Sequence, residues 1–356
     1  MKWMKRTHRD EVAIRNALLA WFRRNARSLP WRKNRDPYAV WVSEVMLQQT
    51  QGAAVIPYYQ RFLEVFPTLA DLARAPLERV LELWSGLGYY RRARHLHHAA
   101  KELVSRFAGV FPRDYAQMRS LPGIGDYTAR AVLSIAFDLP YAALDGNGAR
   151  VLSRLAALEG NLHQGSFRRA VAAQLDRLLS RRQPGNFNQA LMELGQTVCL
   201  PRVPRCLACP VRGWCQGFRM GHPEVFPQPR PRRPVESHYL AAAVLRRGAR
   251  VALVRGLDDG LLDDLWNFPS AFGRSQEEAL GCLRHKLEGL GIPSLILEDF
   301  SVELHHGITF RSICVRAYPA ELPGASRMKG LRWFPISRLQ QAAISQLARK
   351  IAQAVF

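Results

Sequence analysis

The sequence predicts a mostly helical domain followed by a smaller domain of the α+β class. Three observations support this fold class. Apolar residues recur at helical spacing through the first 225 residues, a run of prolines and arginines follows at 226–236, and short β-rich runs begin near residue 239. The chain has 356 residues and is 48% hydrophobic, which is enough to form two cores.

The helical pattern is clearest in four stretches of the first domain. Each stretch places apolar side chains three or four residues apart, so that they share one face of a helix. These sets are Ile14, Leu18, Trp21 and Phe22; Val42, Val45 and Met46; Leu77, Val80, Leu81 and Trp84; and Val132, Ile135 and Ala136. We expect a helix at each of them.

The segment 226–236 should be an extended linker, because its four prolines are incompatible with a helix or a central strand. Beyond it, strands are predicted at 239–245, 250–255, 297–304 and 310–318, and helices at 276–288 and 337–355. The predicted domains are therefore 1–225, a linker at 226–236, and 237–356.

The charge of the chain points to a polyanionic partner. The sequence holds 51 Lys and Arg against 29 Asp and Glu, a formal net charge of +22, which is far more than solubility requires. Only seven of the basic residues are lysine, and the planar arginine fork binds phosphate bidentately and stacks on bases. Nucleic acid is the first candidate, although an arginine bias also arises in GC-rich genomes.

The cysteines form the most informative local pattern. Four of them stand in a C-x6-C-x2-C-x5-C array, and prolines keep the intervening chain in tight turns: Cys199, Cys206, Cys209 and Cys215. Four thiolates within seventeen residues can converge on one [4Fe-4S] cluster, although a zinc ion has similar needs. A disulfide framework is the alternative, but Cys282 and Cys314 lie far away in apolar runs.

The expected compartment follows from these cysteines and from hydropathy. Reduced thiols predict an intracellular protein, here a cytoplasmic one. No apolar run is long enough to span a membrane, and Met1–Arg6 leads into charged residues rather than a secretory apolar core. We therefore expect a soluble protein without membrane contact.

The segment Leu121–Ala129 predicts a helix-hairpin-helix turn. Pro122, Gly123 and Gly125 make a tight turn after one helix, and the run from Thr128 to Phe137 begins another. The N–H groups that open the second helix form an anion site suited to a DNA phosphate. Taken alone, the same residues could be an ordinary interhelical turn.

An aspartate follows the hairpin at a distance of one helix and a turn. Asp145 lies in the sequence Leu144-Asp145-Gly146-Asn147, whose glycine and asparagine favour a sharp bend at the end of the second helix. The hairpin should therefore have a carboxylate beside it.

The order of hairpin, aspartate and four cysteines resembles the iron-sulfur DNA glycosylases of the endonuclease III superfamily. Further segments look like the MutY-type adenine glycosylases within it: Leu29–Arg32, Ser43–Gln51 and Gly86–Tyr90. The resemblance covers roughly residues 10–220. It implies a six-helix barrel beside a helical domain that carries a [4Fe-4S] cluster, with DNA bound across the cleft.

Glu44 and Asp145 fit the chemistry of this family. Breaking an N-glycosidic bond requires an acid for the leaving base and an anion beside the oxocarbenium-like sugar. Glu44 lies in an apolar and amide-rich helix, where desolvation would raise its pKa, and by resemblance it protonates N7 of adenine. The alternative interpretation makes Glu44 a solvated helix charge and Asp145 a turn former or N-cap.

Tyr127 distinguishes between subfamilies. A glycosylase that also cleaves the strand needs an amine nucleophile to form a Schiff base, and related enzymes carry lysine after this hairpin. A phenol cannot form the imine, so we expect a monofunctional enzyme with Tyr127 near Asp145 and the sugar. Asn147 resembles a partner of the catalytic aspartate, and the alternative for Tyr127 is packing against the hairpin.

The resemblance implies further site residues. Those expected in the adenine pocket are Arg27, Trp31, Leu47 and Glu193. Gln49 and Tyr89 look like side chains that enter the duplex beside the opposing base, where they offset lost stacking. Core packing is the alternative for Trp31, Leu47 and Tyr89.

The C-terminal domain resembles the Nudix-like domain with which these proteins recognise 8-oxoguanine. Leu265–Pro269 fits such domains. The helix at 276–290, however, has only Glu277, Glu278 and Glu288 and lacks the paired acidic cluster of a working Nudix box, so Mg²⁺ would find few oxygen ligands. We expect lesion binding rather than pyrophosphate hydrolysis. Where relatives often carry Phe-Ser-His, this chain has Ile308-Thr309-Phe310, and Thr309 can offer only a hydroxyl.

The function expected from these features is monofunctional removal of adenine opposite 8-oxoguanine or guanine in double-stranded DNA, by a monomer. The first alternative is an endonuclease III-type enzyme for pyrimidine lesions, which Tyr127 and the C-terminal domain oppose. The second is a non-catalytic iron-sulfur protein that binds DNA or senses redox state. The joint presence of Glu44 and Asp145 opposes it.

Overall fold

The computed structural model describes residues 7–229, 233–257, 265–292, 297, 299–308, 310–322 and 330–356. The chain forms two compact units. Met1–Arg74 and His95–Pro231 make up the first, called the helical unit, and Ala75–Arg94 and Arg232–Phe356 make up the second, called the mixed unit. The segment Ala75–Arg94, which the sequence analysis assigned to the first domain, thus groups with the second unit.

Helices occupy most of the chain before residue 230. They are α1 (His8–Asn25), α2 (Pro37–Met46), α3 (Gly52–Val65), α4 (Leu69–Arg74), α5 (Leu77–Trp84), α6 (Arg91–Phe107), α7 (Tyr115–Ser120), α8 (Asp126–Phe137), α9 (Gly146–Ala156), α10 (Gly165–Leu178), α11 (Pro184–Thr197) and α12 (Gln216–Arg219). The four predicted helical stretches lie in α1, α2, α5 and α8. The helical interpretation of the first domain is confirmed.

Local sequence explains where the helices around the site begin. Asp36 caps α2 by accepting hydrogen bonds from the backbone N–H groups of Tyr38 and Ala39, and Pro37 occupies its first turn. Every residue of α2 after Pro37 is buried, which explains why the helix is apolar on all sides. Gly125 is the N-cap of α8.

The Asp145 turn differs from its prediction. The second hairpin helix, α8, ends at Phe137, and the Asp145-Gly146-Asn147 sequence opens α9 instead of ending α8. Asp145 is the N-cap of α9 and accepts a hydrogen bond from the N–H of Gly148. Its short polar side chain satisfies a helix N–H that has no intrahelical partner, and this need determines the position.

The strands and last helices belong to the mixed unit. They are β1 (Glu236–Arg247), β2 (Arg250–Arg255), β3 (Trp266–Asn267), β4 (Ser270–Gly273), α13 (Gln276–Gly289), β5 (Val302–Ile308), β6 (Arg311–Glu321), β7 (Arg332–Pro335) and α14 (Gln346–Val355). The strand order is β3-β2-β1-β6-β5, with β4 paired to β1 and β7 to β2. The α+β class of this part is confirmed.

The central strand β1 shows why the sheet needs a helix on each face. Leu240, Ala242 and Val244 pack in one core with residues of α14. Ala241, Ala243 and Leu245 alternate with them and pack in another core with residues of α13. Because successive side chains of a strand point to opposite faces, a strand that is apolar at every position is buried on both.

Two details of the sequence-based assignment in this region were wrong. The short strands β3, β4 and β7 were not predicted. The predicted helix at 337–355 is broken, because a 3-10 helix ends at Gln341 and α14 begins after Ser345. Between them the N–H of Ser345 donates to the carbonyl of Trp266 and the N–H of Trp266 donates to that of Ala343, so this backbone pairs with β3.

The first residues of the predicted linker pack on the helical unit. Phe226 is buried, its carbonyl accepts a hydrogen bond from Arg154 Nε, and the N–H of Gln228 donates to the carbonyl of Gly160. Glu236 already lies in β1. In the part of the chain that the structure describes, no helix is both long and apolar enough to cross a membrane.

Candidate active site

A cleft of about 910 Å³ opens in the helical unit. The sequence-predicted residues that line it are Arg27, Glu44, Leu47, Gln49, Tyr127, Asp145 and Asn147. They come from α2, α8, α9 and the segments that flank them. The fold therefore brings both predicted catalytic carboxylates, which are a hundred residues apart in sequence, to one opening.

Glu44 is buried at the edge of this cleft. It is only 6% exposed, and the hydroxyl of Tyr127 donates a hydrogen bond of 2.8 Å to its Oε2. Burial raises the pKa of the Glu44 carboxyl to about 7, because the loss of hydration outweighs the hydrogen bond from Tyr127, which lowers it. A carboxyl in this state can hold a proton near neutral pH, and the solvated-charge alternative is wrong.

Tyr127 lies in the first turn of α8 and contacts two side chains of the cleft. Besides Glu44, its hydroxyl lies 3.5 Å from the sulfur of Met192. Burial, with the nearby Glu44 and Asp145 carboxylates, raises the pKa of the Tyr127 phenol well above its ordinary value. The phenol therefore stays neutral and acts as a donor.

Asp145 has both oxygens engaged. Its Oδ1 accepts a 2.6 Å hydrogen bond from the N–H of Gly148, and its Oδ2 accepts a 2.7 Å hydrogen bond from Asn147 Nδ2. These two hydrogen bonds fix the orientation of the carboxyl group. Asn147 is thus a direct partner of Asp145, as the resemblance implied, and Asp145 is an N-cap that also lines the cleft.

Arg150 is a cleft residue that the sequence analysis missed. It lies one turn after Asn147 on α9 and donates to Asn147 Oδ1 at 3.0 Å and to the Gly195 carbonyl at 2.8 Å. Its Nε also donates to the carbonyl of Cys199 at 2.9 Å. The i,i+3 spacing from Asn147 was the available signal, because such residues share a helix face.

Arg27, which is partly exposed and lines the cleft, pairs with the buried Glu193. Arg27 Nε and Nη2 contact the two oxygens of Glu193 at 2.6 and 2.8 Å, and Arg32 Nη2 adds a contact of 2.9 Å. Burial alone would raise the pKa of Glu193, but the two guanidinium groups bring it below the ordinary value. Glu193 is therefore the partner of two arginines, and its predicted place in the adenine pocket stays a prediction. Arg32 was missed by the sequence analysis.

The other predicted base-contacting residues divide between core and surface. Trp31 is buried and packs edge-on against Tyr59, with ring centroids 5.5 Å apart. It belongs to the core, as its alternative interpretation held. Leu47 and Gln49 line the cleft, and Gln49 adopts a left-handed backbone conformation with φ of 56°, which is uncommon for a residue other than glycine.

The hairpin between α7 and α8 has the tight geometry that its glycines predict. Gly123 has φ of 73°, and a Cβ added there would lie 2.4 Å from Cβ of His95. Position 123 therefore excludes any other residue on both conformational and steric grounds. A Cβ at Gly125 would meet open space, so the start of α8 is accessible from outside.

The four array cysteines converge on one apolar pocket. Cys199, Cys206, Cys209 and Cys215 line it together with the buried Arg154. Arg154 holds the segment in place by donating to the carbonyls of Leu200 and Pro201 at 2.6 Å, and its Nη1 lies 3.4 Å from Cys199 Sγ. Each of the four thiols is free, so the disulfide alternative is wrong.

The spacing of these sulfurs fits a cluster better than a single metal ion. Within the described residues, no three of the four sulfur atoms lie within 4.8 Å of one another. Thiolates on one zinc ion lie about 4 Å apart, given zinc–sulfur bonds of about 2.3 Å. A four-iron cluster is a larger group and holds its thiolates further apart.

A second group of possible ligands lies in the mixed unit. Glu303, His305 and Cys314 on β5 and β6 bring their donor atoms within 4.8 Å of one another. The Glu303 carboxylate, however, already accepts a 2.7 Å hydrogen bond from Arg316. We assign no metal to this group.

Two predicted residues lie elsewhere. Tyr89 belongs to the mixed unit, is 50% exposed, and has a left-handed backbone with φ of 51°. Thr309 lies outside the described residues, so its predicted contact with the lesion stays a prediction. In α13 the glutamates are exposed, and Glu278 accepts a hydrogen bond from the N–H of Arg274, just before the Ser275 N-cap.

Comparison with known proteins identifies the same region. Residues 42–176 match the HhH-GPD superfamily of base excision DNA repair proteins. The adenine DNA glycosylase of Rattus norvegicus is 36% identical over 401 residues, covering 96% of this chain and 78% of the rat protein. That of Homo sapiens is 34% identical and covers 96% of this chain and 74% of the human protein.

Solved structures agree with this match. A thermostable thymine-DNA glycosylase aligns with a TM-score of 0.53 and 26% identity, over 60% of this chain and 98% of its own. An endonuclease III trapped as a covalent intermediate with DNA aligns with a TM-score of 0.52 and 23% identity, over 61% and 99%, and supports the fold alone. With the relatives that match along nearly its whole length, these findings show that the chain belongs to the adenine DNA glycosylase family of DNA N-glycosylases.

Proposed function

We propose that this chain is a monofunctional adenine glycosylase of base excision repair that removes adenine opposite 8-oxoguanine, and also opposite guanine, from double-stranded DNA. The observation that carries the proposal is the cleft itself. It combines a buried carboxyl with pKa near 7, Glu44, and a second carboxyl held by two donors, Asp145. Two titratable groups in different environments are the usual basis of acid and anion roles in glycosidic cleavage.

Glu44 is the proposed acid. Its protonated form delivers a proton to N7 of adenine, which turns the base into a neutral leaving group. The hydrogen bond from Tyr127 orients the carboxyl and favours the carboxylate that the transfer leaves behind. General acid catalysis of this kind contributes about 10²- to 10⁴-fold.

Asp145 is the proposed anion. Its ionised carboxylate faces the cleft and stabilises the positive charge that develops on the sugar as the bond breaks. Asn147 and the N–H of Gly148 fix the carboxylate before the reaction, so little reorganisation is needed. Water then completes hydrolysis, because Tyr127 offers no amine for a Schiff base.

Gln49 and Tyr89 are the proposed duplex-entering residues. Both adopt positive φ although neither is glycine. Such conformations cost about 1–3 kcal/mol each and concentrate at functional sites. A side chain presented in this way can occupy the gap that an extruded base leaves in the stack.

The cysteine pocket is the proposed site of a [4Fe-4S] cluster held by Cys199, Cys206, Cys209 and Cys215. The bound cluster would cross-link the segment 199–215, whose arginines form part of a phosphate-binding surface. The mixed unit is the proposed Nudix-like recognition domain for 8-oxoguanine. Among the described residues, no α13 glutamate belongs to a group of three side chains that could hold a metal ion, which supports binding rather than hydrolysis. The protein is proposed to act as a monomer.

Excision and borohydride trapping together test the proposal. The protein should release adenine from a duplex with 8-oxoguanine opposite it and should form no trapped adduct. The variant Tyr127→Lys should gain trapping, because an amine then occupies the position after the hairpin. Tyr127→Phe is the matched control and should form no adduct.

Trapping by the parent would contradict the monofunctional assignment. Release of an oxidised pyrimidine instead of adenine would favour the endonuclease III-type alternative.

A further inference from the structure

Helix α5 is held at both ends by residues from the C-terminal part of the mixed unit. At its first turn, Glu78 accepts hydrogen bonds from Trp266 Nε1 at 3.3 Å and from Arg332 Nη1 at 2.9 Å. At its C-cap, the buried Ser85 hydroxyl accepts a 2.6 Å hydrogen bond from Arg349 Nη2 and donates to the carbonyl of Ile344 at 3.2 Å. All these residues belong to the mixed unit.

The turn that follows α5 is also held by hydrogen bonds. The indole of Trp84, which is fully buried, donates to the carbonyl of Gly88 at 3.1 Å, and Arg92 donates to the same carbonyl at 3.0 Å. The Tyr90 hydroxyl accepts a hydrogen bond from the N–H of Gly86. The turn is therefore a defined structure built directly on the end of α5.

This turn presents Tyr89. Its ring is half exposed, and the guanidinium of Arg92 lies 5.3 Å from the centroid of this ring and 5.5 Å from that of the Trp84 ring. Arg92 is 9% exposed, and burial lowers its pKa to about 10. A guanidinium stacked under an aromatic ring restricts the directions in which that ring can point.

Trp266 belongs to a sequence motif that has no part in the proposed chemistry. It stands in the segment Leu265–Pro269, and its indole ring is contacted by Arg255 at 4.3 Å and Arg332 at 5.4 Å. Its backbone pairs with Ala343 and Ser345 immediately before α14, which carries Arg349. The two anchors of α5 are thus joined through β3.

We propose that Arg349, Trp266 and Arg332 are positioning residues that hold Tyr89 for entry into the duplex and thereby set the preference for 8-oxoguanine opposite adenine. The inference rests on the proposed function and deepens it. The side chain that enters the stack is anchored to the unit proposed to recognise the lesion, whereas both carboxylates belong to the helical unit. Selectivity can therefore change while the chemistry at Glu44 and Asp145 stays intact.

Arg349→Met and Ser85→Ala test one anchor. Single-turnover excision should be measured for adenine opposite 8-oxoguanine and opposite guanine, at one salt concentration and with titrated active sites. We expect the ratio of the two rates to fall about fivefold or more, the lower range for coupling between sites. Tyr89→Ala shows how far the ratio falls when the inserted side chain itself is lost. The matched control is Glu321→Gln, which breaks an exposed pair with Arg246 elsewhere in the unit.

Fluorescence provides a readout that lost structure alone would not produce. The duplex carries 2-aminopurine beside 8-oxoguanine, opposite a 2′-fluoro adenine nucleotide whose glycosidic bond resists cleavage. Insertion of Tyr89 unstacks the reporter and raises its emission. Arg349→Met should reduce the fluorescence rise toward the value for Tyr89→Ala. An unchanged melting temperature of Arg349→Met would show that its fold is intact. The control Glu321→Gln should give the same rise as the parent.

Charge reversal tests the other anchor. Glu78→Arg and Arg332→Glu should each lower the ratio and the fluorescence rise, and the double variant should recover both. Parent-like values in Arg349→Met and in the single reversals would overturn the inference, as would a double variant no better than the singles. If the parent released no adenine, the proposed function would fail, and the fluorescence would still decide whether these anchors position Tyr89.

Discussion

Glutamates occupy helices in both units, but their surroundings differ. Glu44 lies within α2, which is buried along its length, and burial raises its pKa to about 7. Glu277 lies in the exposed first turn of α13, where the hydroxyl of Ser275 lowers its pKa. The same residue type thus holds a proton near neutral pH in one unit and forms part of a helix start in the other. Burial by neighbouring elements decides which.

The largest expected effect concerns the two cleft carboxylates. Glu44→Gln and Asp145→Asn should each reduce excision by about 10²- to 10⁴-fold, because one removes the proton donor and the other the anion beside the sugar. Duplex binding, measured by fluorescence anisotropy, should change little. A variant that retains parent-like excision would remove that residue from the mechanism.

Loss of one array cysteine should produce the next largest effect. Cys206→Ser should lower iron content from about four atoms per chain and weaken duplex binding, because the segment 199–215 loses its cross-link. Iron analysis and anisotropy on anaerobically prepared protein measure both. Cys282→Ser is the control, since Cys282 is exposed on α13. Stoichiometric zinc without iron in the parent would contradict the cluster.

The pH dependence should follow the Glu44 carboxyl. The single-turnover rate should fall about tenfold per pH unit once the pH rises well above about 7, where Glu44 loses its proton. Tyr127→Phe removes a donor that favours the carboxylate, so its falling limb should shift to higher pH. A parent rate that stays constant from pH 6 to 9 would exclude Glu44 as the acid.

The same titration should appear in stability. Folding raises the pKa of Glu44 from its ordinary value of 4.5 to about 7, so the folded state binds the proton more tightly than the unfolded state. The free energy of unfolding should therefore decrease by about 3 kcal/mol as pH rises from about 4.5 to 7. Glu44→Gln should remove this decrease, and chemical denaturation across that range measures it.

The smallest effect is expected in α13. Glu278→Gln should leave excision at the parent level, since the side chain is exposed and only accepts a hydrogen bond from the N–H of Arg274. A slightly lower melting temperature is the only change expected. Loss of excision in this variant would assign chemistry to the mixed unit and erase the contrast with Glu44.

Local pattern determined much of the fold and of the candidate site. Helical spacing located α1, α2, α5 and α8, because an amphipathic or buried helix must repeat its apolar residues at that period. The cysteine array located four thiols that line one pocket, and the glycines at 123 and 125 identified the hairpin. The hydroxyl-bearing Tyr127 predicted a monofunctional enzyme from a single position. These signals are contained within short stretches of sequence.

Other features depend on contacts between residues that are distant in sequence. The pairing of Tyr127 with Glu44, the locking of Glu193 by Arg27, and the placement of Trp31 in the core have no local signature. The break before α14 arises because Ser345 pairs with Trp266 of β3.

The grouping of Tyr89 with the mixed unit shows the same limit most clearly. The segment Ala75–Arg94 contains helix α5 and lies in sequence between helices of the helical unit. The helical spacing of its apolar residues therefore placed it in the first domain. Hydrogen bonds from Arg332 and Arg349, more than 250 residues later, assign it to the mixed unit. Periodicity reports which face of an element is buried, whereas only the tertiary structure decides which element covers that face, and hence which groups change their pKa and which side chains act together.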